Sequence, residues 1–544
     1  MDIYTLQLLQ RTTRYFSEQQ QRPYLVGGSL RNLLLGEECL DWDIVTSGDA
    51  HKTARQFADT LGGHFVHMHN KACRVIAFVE DTGSPHTRKE ICFDISPLTG
   101  KTIEDDLRQR DFTINAIAAP LDKVVRYLES NQEKLSIFHT GKRSEERQEG
   151  SFWTPAADSL EPWLIDPLDG LSDLQARRLK AVEDQVFRHD PLRMLRAVRL
   201  IMRYQLQLDP WTFSLITRDA GLLPEVAWER VHDELYAVLG PDGAANRLQL
   251  LDELGLFIAI FPEFEPARGM RQPQPHHWDV LTHSIETVGA LEHISHLVQN
   301  KTMHATEPPG VPFIGTPGGE GDTATEIDLA EISTLLQEAE QQGIFSFAGL
   351  TSPRMKMAAL LHDIGKPTTY SSDEEGAIHF YNHPLAGVSI VEQVMRRLCA
   401  STQDRRQAQL VAAHHMRPGQ LGHDGPVTLR AVRRYFVDLG PAGIYVALFS
   451  LADHLATLGP QPTGDAWRRH LSVVRQLLTS YIRERDRILP PRLISPEELM
   501  RRLKLEPGPI VGQLLDLISE AQAEGKIHSK EEAVWFAEEH LPSW

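Results

Sequence analysis

The chain has 544 residues, enough for several domains with their own cores, and a formal net charge of -18 from 56 Lys and Arg against 74 Asp and Glu. No apolar run approaches the roughly 20 residues that span a bilayer, and the acidic surplus argues against indiscriminate nucleic-acid binding by the whole surface. Cys39, Cys73, Cys92 and Cys399 are scattered, so neither a disulfide framework nor a structural zinc site is indicated. Met1-Asp2-Ile3-Tyr4 opens no leader pattern, and a cytoplasmic protein with no membrane partner is expected.

Residues 22 to about 120 read as mixed α/β, with strand-like stretches at 24–26, 42–46, 75–79 and 91–95 and a helical pattern near 49–61. The first strand runs into Gly27-Gly28, and 29–35 reads as the opening turns of a helix. Glycine has no Cβ and a helix N-terminus attracts anions, so backbone amides at Gly27, Gly28 and Ser29 can approach a triphosphate. Asp41 and Asp43 flank one apolar residue in the next strand-like run. A strand repeats its facing every two residues, so both carboxylates point the same way. Aligned carboxylates beside a phosphate cradle suit a divalent metal pair and nucleotidyl transfer.

A polar segment at about 129–160, including Gly141-Lys142-Arg143-Ser144-Glu145-Glu146-Arg147, lacks apolar periodicity and is expected to be a mobile loop insertion. From about 170 the pattern is almost wholly helical. Arg193, Arg196, Arg199 and Arg203 recur at three- and four-residue spacing and line one helix face, with Leu195, Val198 and Met202 offering an apolar stripe. Any RNA contact is expected to rest on this local basic patch. Linker chemistry at about 302–325, Pro308-Pro309-Gly310 and Gly318-Gly319-Glu320-Gly321, marks a second insertion extending to about 350.

The combination Leu25-Val26-Gly27-Gly28-Ser29-Leu30-Arg31, Leu34-Leu35-Gly36 and Asp41-Trp42-Asp43 resembles the bacterial tRNA nucleotidyltransferase (CCA-adding, class II) and poly(A) polymerase family. Asn32 stands where that family carries aspartate. Asp106-Leu107-Arg108-Gln109-Arg110-Asp111-Phe112-Thr113-Ile114-Asn115-Ala116 is similar to a second family motif; Arg110 can neutralise phosphate, and Asp111 and Asn115, four apart, are expected on one helix face. Asp94 falls where the family places a third acid, which can assist deprotonation of an RNA 3′-hydroxyl. Asp166-Pro167-Leu168-Asp169-Gly170-Leu171 resembles its hinge element. Arg188-His189-Asp190-Pro191-Leu192-Arg193-Met194-Leu195-Arg196-Ala197-Val198-Arg199 resembles its base-reading motif, with His189 in place of glutamate. The resemblance assigns Asp190 and Arg193 to the choice between CTP and ATP, Arg31, Asp111 and Asn115 to the nucleotide site, and Arg196 and Arg199 to phosphate. Trp228-Glu229-Arg230-Val231 matches a neck motif.

A second constellation, His283, His362-Asp363-Ile364-Gly365-Lys366, His383, His414-His415 and Asp453, resembles the HD phosphohydrolase superfamily. The resemblance makes His283, His362, Asp363 and Asp453 the core ligands, with His383 and either His414 or His415 completing a second metal position. Imidazole with carboxylate suits Mn, Ni, Fe or Zn better than Mg.

The implied fold is an α+β nucleotidyltransferase head (polymerase-β-like mixed sheet) at 1–170, an all-α neck at 171–270, an all-α HD domain at 271–470 and a helical tail at 471–544. The implied function is template-independent addition or repair of the tRNA 3′ CCA end from CTP and ATP, with Mg2+ on Asp41 and Asp43 and HD phosphohydrolase activity. The same motifs serve poly(A) polymerase and enzymes adding only A or only CC. A different class, an HD hydrolase whose N-terminal region merely binds RNA, and a silent RNA-binding protein remain as rivals.

Overall fold

The computed structural model describes residues 3–37, 39–68, 72–80, 88–131, 159–299, 323–422, 426–460 and 464–541. These fall into two units, Met1–Leu222 and Leu223–Trp544. The stretch Gly141–Arg147 and the span 302–322, both expected as insertions, lie outside the described residues.

In the first unit, α1 (Ile3–Glu18), β1 (Tyr24–Val26), α2 (Gly27–Leu35), β2 (Asp41–Thr46), α3 (Ala50–Leu61), β3 (His64–His67), β4 (Cys73–Glu80), β5 (Arg88–Pro97), α4 (Ile103–Leu107), β6 (Ala118–Pro120) and α5 (Leu121–Ser130) form a head around one mixed sheet. The strand order is β3-β4-β5-β2-β1-β6, with β2 and β5 parallel and the other neighbours antiparallel. Alternation sets the faces: Trp42 and Ile44 of β2 are buried, while Asp41 is exposed and Asp43 half-buried. Phe57 of α3 packs on Phe93 of β5, and Tyr15 and Phe16 of α1 join it. The basic helix, α6 (Arg193–Tyr204), buries Met194, Leu195, Ala197, Val198, Leu200, Ile201 and Tyr204. Its arginines lie off that face, as the periodicity predicts.

One expectation needs correction. Asp111 and Asn115 do not share an α-helix; the segment is an extended turn ending in a single 3-10 turn, Thr113–Asn115. Edge bonding from Thr113 N–H to the Lys180 carbonyl (2.9 Å) and from Val182 N–H to the Asp111 carbonyl (3.3 Å) holds it out of a helix. The two side chains still meet, Asn115 Nδ2 donating to Asp111 Oδ1 at 2.9 Å.

The second unit is helical apart from one short hairpin, Tyr370–Ser372 with Ile378–Phe380, among the described residues. Helix Val280–Val298, capped by the Asp279 carboxylate on Thr282 N–H (2.7 Å), is buried along most of its length. It packs against helices Pro353–Leu361 and Ala442–Leu458. The stretch expected as linker to about 350 is helical from Thr323 to Gln341. Leu329, Ile332, Leu335, Leu336 and Ala339 recur at helical spacing and are buried, and Arg475 and Arg483 pair with Glu331 and Glu338. No single helix among the described residues is long and apolar enough to cross a membrane; Leu429–Leu439 and Ala442–Leu458 satisfy the length only as a pair bent by 108°. The last helices close a small core of their own around Leu499, Leu514, Ile518 and Ala533.

Lys356 is fully buried. Its ammonium donates to the carbonyls of Leu239, Gly240 and Pro241 (2.9, 3.1 and 2.9 Å) and pairs with Glu292 at 2.6 Å. Those carbonyls end helix Trp228–Leu239, where the last oxygens lack intrahelical donors. Glu292 also accepts from Gly243 and Ala244 N–H at 3.0 and 3.2 Å.

Candidate active and metal centres

The turn between β1 and α2 holds the first centre. Gly27 has φ 65°, a left-handed conformation that favours glycine, and a Cβ there would stand 2.8 Å from Arg110 Nη1 and 3.4 Å from Asp43 Oδ2. The bare backbone thus runs directly beside a guanidinium and a carboxylate. Ser29 fixes Asp43: its N–H and hydroxyl meet Oδ2 at 3.2 and 3.3 Å, and its Oγ accepts from Asp43 N–H at 2.9 Å. Burial pushes the Asp43 carboxyl up, against the opposing pull of Arg110 and Ser29. Arg110 is steadied by Asp106 at 2.9 Å.

Register brings Asp94 opposite Asp43 and, on its other side, opposite Arg74. Arg74 grips Asp94 with both ends of its fork, at 2.7 Å each, and reaches Asp41 at 3.8 Å. That bidentate bond to Asp94 raises the already high guanidinium pKa. The acid expected to deprotonate a hydroxyl therefore sits in an ion pair.

Arginines expected at the nucleotide have partners of their own. Buried Arg31 meets Asn115 and donates to Tyr204 Oη (2.8 Å) and Asn32 Oδ1 (2.9 Å). Arg196 lies 3.4 Å from Asp111, whose carboxyl, although burial opposes it, is held below the usual range by Arg196, Asn115 and Arg193. Arg193 donates to the Gln109 and Arg110 carbonyls at 2.9 and 3.2 Å, and Asp190 Oδ1 accepts from Leu192 N–H at 3.3 Å. Arg199 lies half-buried on the same helix.

The second centre lies in the helical unit. His283 comes from helix Val280–Val298, Asp453 from Ala442–Leu458, and His362 and Asp363 from the turn after Pro353–Leu361. His283 Nε2 is 3.0 Å from Asp453 and 3.5 Å from Asp363; His362 Nε2 is 3.1 Å from Asp363 and 3.5 Å from Asp453. On the other Asp363 oxygen, His383 and His415 approach to 3.2 and 3.5 Å. Lys366 holds the first oxygen at 2.5 Å. His362, His383 and His415 each engage a backbone carbonyl through Nδ1, at 2.8, 2.8 and 3.0 Å from Ala359, Phe380 and Ala412. With Nδ1 held by a carbonyl, each Nε2 faces inward, the arrangement that suits a metal ligand. The donor atoms of His283, His362 and Asp453, and of His362, Asp363 and His415, form two sets each within 4.8 Å. Burial pushes His415 down to about 4, favouring its neutral form.

Of the adjacent pair, it is His415 that enters the cluster; His414 ends helix Thr402–His414, half-buried near Arg417 and Asp438. Close backbone contact sets His383 in place: a Cβ on Gly365 would stand 2.3 Å from the His383 carbonyl and 2.6 Å from Gly387 N. Sequence reasoning missed Arg74, because strand register is not written in one strand, and Tyr204, whose partner Asn32 is 172 residues away. Lys366 was visible in the His-Asp-Ile-Gly-Lys run.

Three domain families match the chain: the poly A polymerase head domain at 23–130, the probable RNA and SrmB-binding site of polymerase A at 205–268, and the HD domain at 329–458. His283 precedes the last of these matches. An A-adding tRNA nucleotidyltransferase of Deinococcus radiodurans is 29% identical over 94% of this chain and 94% of its own length. A CC-adding tRNA nucleotidyltransferase of Synechocystis is 26% identical over 95% and 92%. The multifunctional CCA protein of Nitrosococcus oceani is 26% identical over 73% and 77%. Among solved structures, a CCA-adding enzyme from Thermotoga maritima complexed with tRNA superposes with a TM-score of 0.52 at 18% identity, covering 99% of this chain and 96% of its own. A CCA-adding enzyme with CTP gives 0.56 at 19%, covering 100% and 97%.

Proposed function

We propose, for a chain that resembles the bacterial tRNA nucleotidyltransferase and poly(A) polymerase family with an HD domain appended, that it adds or repairs nucleotides of the tRNA 3′ CCA end from CTP and ATP without a template, in the cytoplasm. The observation that carries this is that Asp43 and Arg110 flank the Gly27-Gly28 turn, with Asp41 two residues from Asp43 on the same strand face.

Two aligned carboxylates offer the hard oxygen donors that Mg2+ prefers, so Asp41 and Asp43 would hold it. When bound, the metal neutralises phosphate charge and lowers the pKa of a ligated hydroxyl. The chain's own groups do the rest. The amides opening α2 and the Arg110 guanidinium receive the triphosphate, leaving the α-phosphate in line with the RNA 3′-hydroxyl and pyrophosphate as the leaving group. Asp190 accepts from the exocyclic amine shared by cytosine and adenine, and Arg193, anchored on the Gln109 and Arg110 carbonyls, donates to ring acceptors.

In the second unit His283, His362, Asp363 and Asp453, with His383 and His415, would hold one or two ions of Mn, Ni, Fe or Zn. Bound there, such an ion supplies a hydroxide for hydrolysis of a phosphate ester, and the Lys366 ammonium beside Asp363 favours an anionic ligand. We place the head at 1–170, the neck at 171–270, the HD domain at 271–470 and the tail at 471–544.

The test is extension of three tRNA transcripts, ending before CCA, after C and after CC, with CTP, ATP or both. Addition that completes CCA and stops supports the reading; a long A ladder or no extension sinks it. A second reading, addition of A alone or CC alone, is favoured by the relatives of those names, which align over 94% and 95% of this chain. One A added solely to the CC-ended transcript, or CC without A, would establish it.

A further inference from the structure

Asn32, the residue that departs from the resembled motif, braces one link of a closed polar ring, the bond from Arg31 Nη2 to Tyr204 Oη at 2.8 Å. Its Oδ1 accepts from Tyr204 Oη at 2.8 Å and from Arg31 Nη2 and Nε at 2.9 and 3.3 Å. Arg31 also reaches Asn115, Asn115 donates to Asp111, and Asp111 pairs with Arg196. Tyr204 is the last residue of α6 and Arg196 lies in its first turn. The ring therefore leaves α6 at one end, passes through the phosphate helix α2 and the Asp111–Asn115 turn, and returns near the other end.

Buried hydrogen bonds to a charged group are the strong ones, and Arg31, Tyr204, Asp111 and Asn115 are all buried. Twelve residues of helix span about 18 Å, so a small tilt at the Tyr204 end moves the Arg193 end. Base choice rests on hydrogen-bond geometry that tolerates displacements well under about 1 Å. We infer that Tyr204 and Asn32 are positioning residues for nucleotide choice, fixing the base-reading start of α6 against the phosphate-binding helix. The inference rests on the transferase reading above. It also explains why asparagine serves at position 32: the Tyr204 hydroxyl and the Arg31 guanidinium need an acceptor there, and an amide oxygen supplies it without adding a charge.

The experiment compares kcat/KM for CTP and ATP on the tRNA transcript that wild type extends, in full-length Tyr204→Phe, Asn32→Ala and Asn32→Asp. Phenylalanine keeps the ring beneath Arg31, whose guanidinium carbon lies 4.4 Å from its centroid, so the substitution isolates the hydroxyl. We expect Tyr204→Phe and Asn32→Ala each to lower the preference for the correct nucleotide about tenfold, roughly one hydrogen bond's worth. The Mg2+ concentration for half-maximal rate stays unchanged, and Asn32→Asp, which keeps the acceptor, retains wild-type preference. The double variant should lose less than the two single losses combined, since both remove the Tyr204–Asn32 bond. Wild-type preference in Tyr204→Phe and Asn32→Ala, or an equal fall for both nucleotides, overturns the inference alone. Wild type that adds no nucleotide overturns the transferase reading and the inference together.

Discussion

The head and the HD cluster both gather carboxylates, yet they hold them in opposite ways. In the head, Asp41 is largely exposed and Asp43 is tied by one serine, while the third acid is taken by Arg74. In the helical unit, Asp363 is buried with imidazole nitrogens within 3.5 Å of each oxygen, and three histidines are oriented by backbone carbonyls. A centre that must admit an RNA end and exchange nucleotides gains from open carboxylates whose metal can arrive with the triphosphate. A preorganised, desolvated cluster suits a resident ion.

The sharpest break between them is functional. Asp41→Ala with Asp43→Ala should reduce nucleotide addition by at least about 1000-fold while leaving phosphohydrolase activity, measured on the same preparation, near wild type. Loss of both activities would end the two-centre picture. The complementary change, His362→Ala with Asp363→Ala, should lower bound transition metal in the purified protein at least about tenfold, read by elemental analysis, with nucleotide addition retained. Metal content equal to wild type would reject that ligand set. Asp94 gives a finer cut: Asp94→Asn should slow addition by about tenfold, through a loosened Arg74, rather than match the Asp41 loss. A loss as deep as that of the Asp41 and Asp43 variant would return Asp94 to the metal set.

The smallest effect concerns what burial costs the helical unit. Burial pushes the Glu286 carboxyl up to about 7, with Gln249 Nε2 bonded to it at 2.8 Å. Between the ordinary glutamate pKa and that value the folded state binds more protons than the unfolded one. Stability therefore falls as pH rises through this window and is level above it. Glu286→Gln should remove that penalty, of order 3 kcal/mol, raising the melting temperature at pH 8 more than at pH 5. An equal shift at both pH values would mean that Glu286 is not protonated in the fold.

Local patterns made much of this legible. The glycine pair, the alternation around Trp42 and the His-Asp pair at the end of an apolar helix each carry their meaning within a few residues. So does the amphipathic period of α6. What escaped was pairing between distant strands and helices. Nothing in 73–80 announces that Arg74 will face Asp94, because register is set by the sheet as a whole. The Asp111–Asn115 spacing suggested a helix, and tertiary bonding to Lys180 and Val182 overrode it. The helix 323–341 was hidden by the linker composition just before it, although its apolar spacing is regular once the two are separated.

Lys356 has an evolutionary consequence. Its ammonium sits in the HD match, at 329–458, but its carbonyl partners belong to the polymerase RNA-binding match, at 205–268, and Glu292 lies between the two. A cut between Glu292 and the HD match would leave a buried cation and a buried anion each without its partner, a loss of about 3–5 kcal/mol, whereas a cut just after 268 would keep that pair and remove only the carbonyls. The two modules match separate sequence families yet share one buried ion pair and its carbonyl cage. An HD domain joined to such a neck has to bring, or rebuild, the socket for a single lysine.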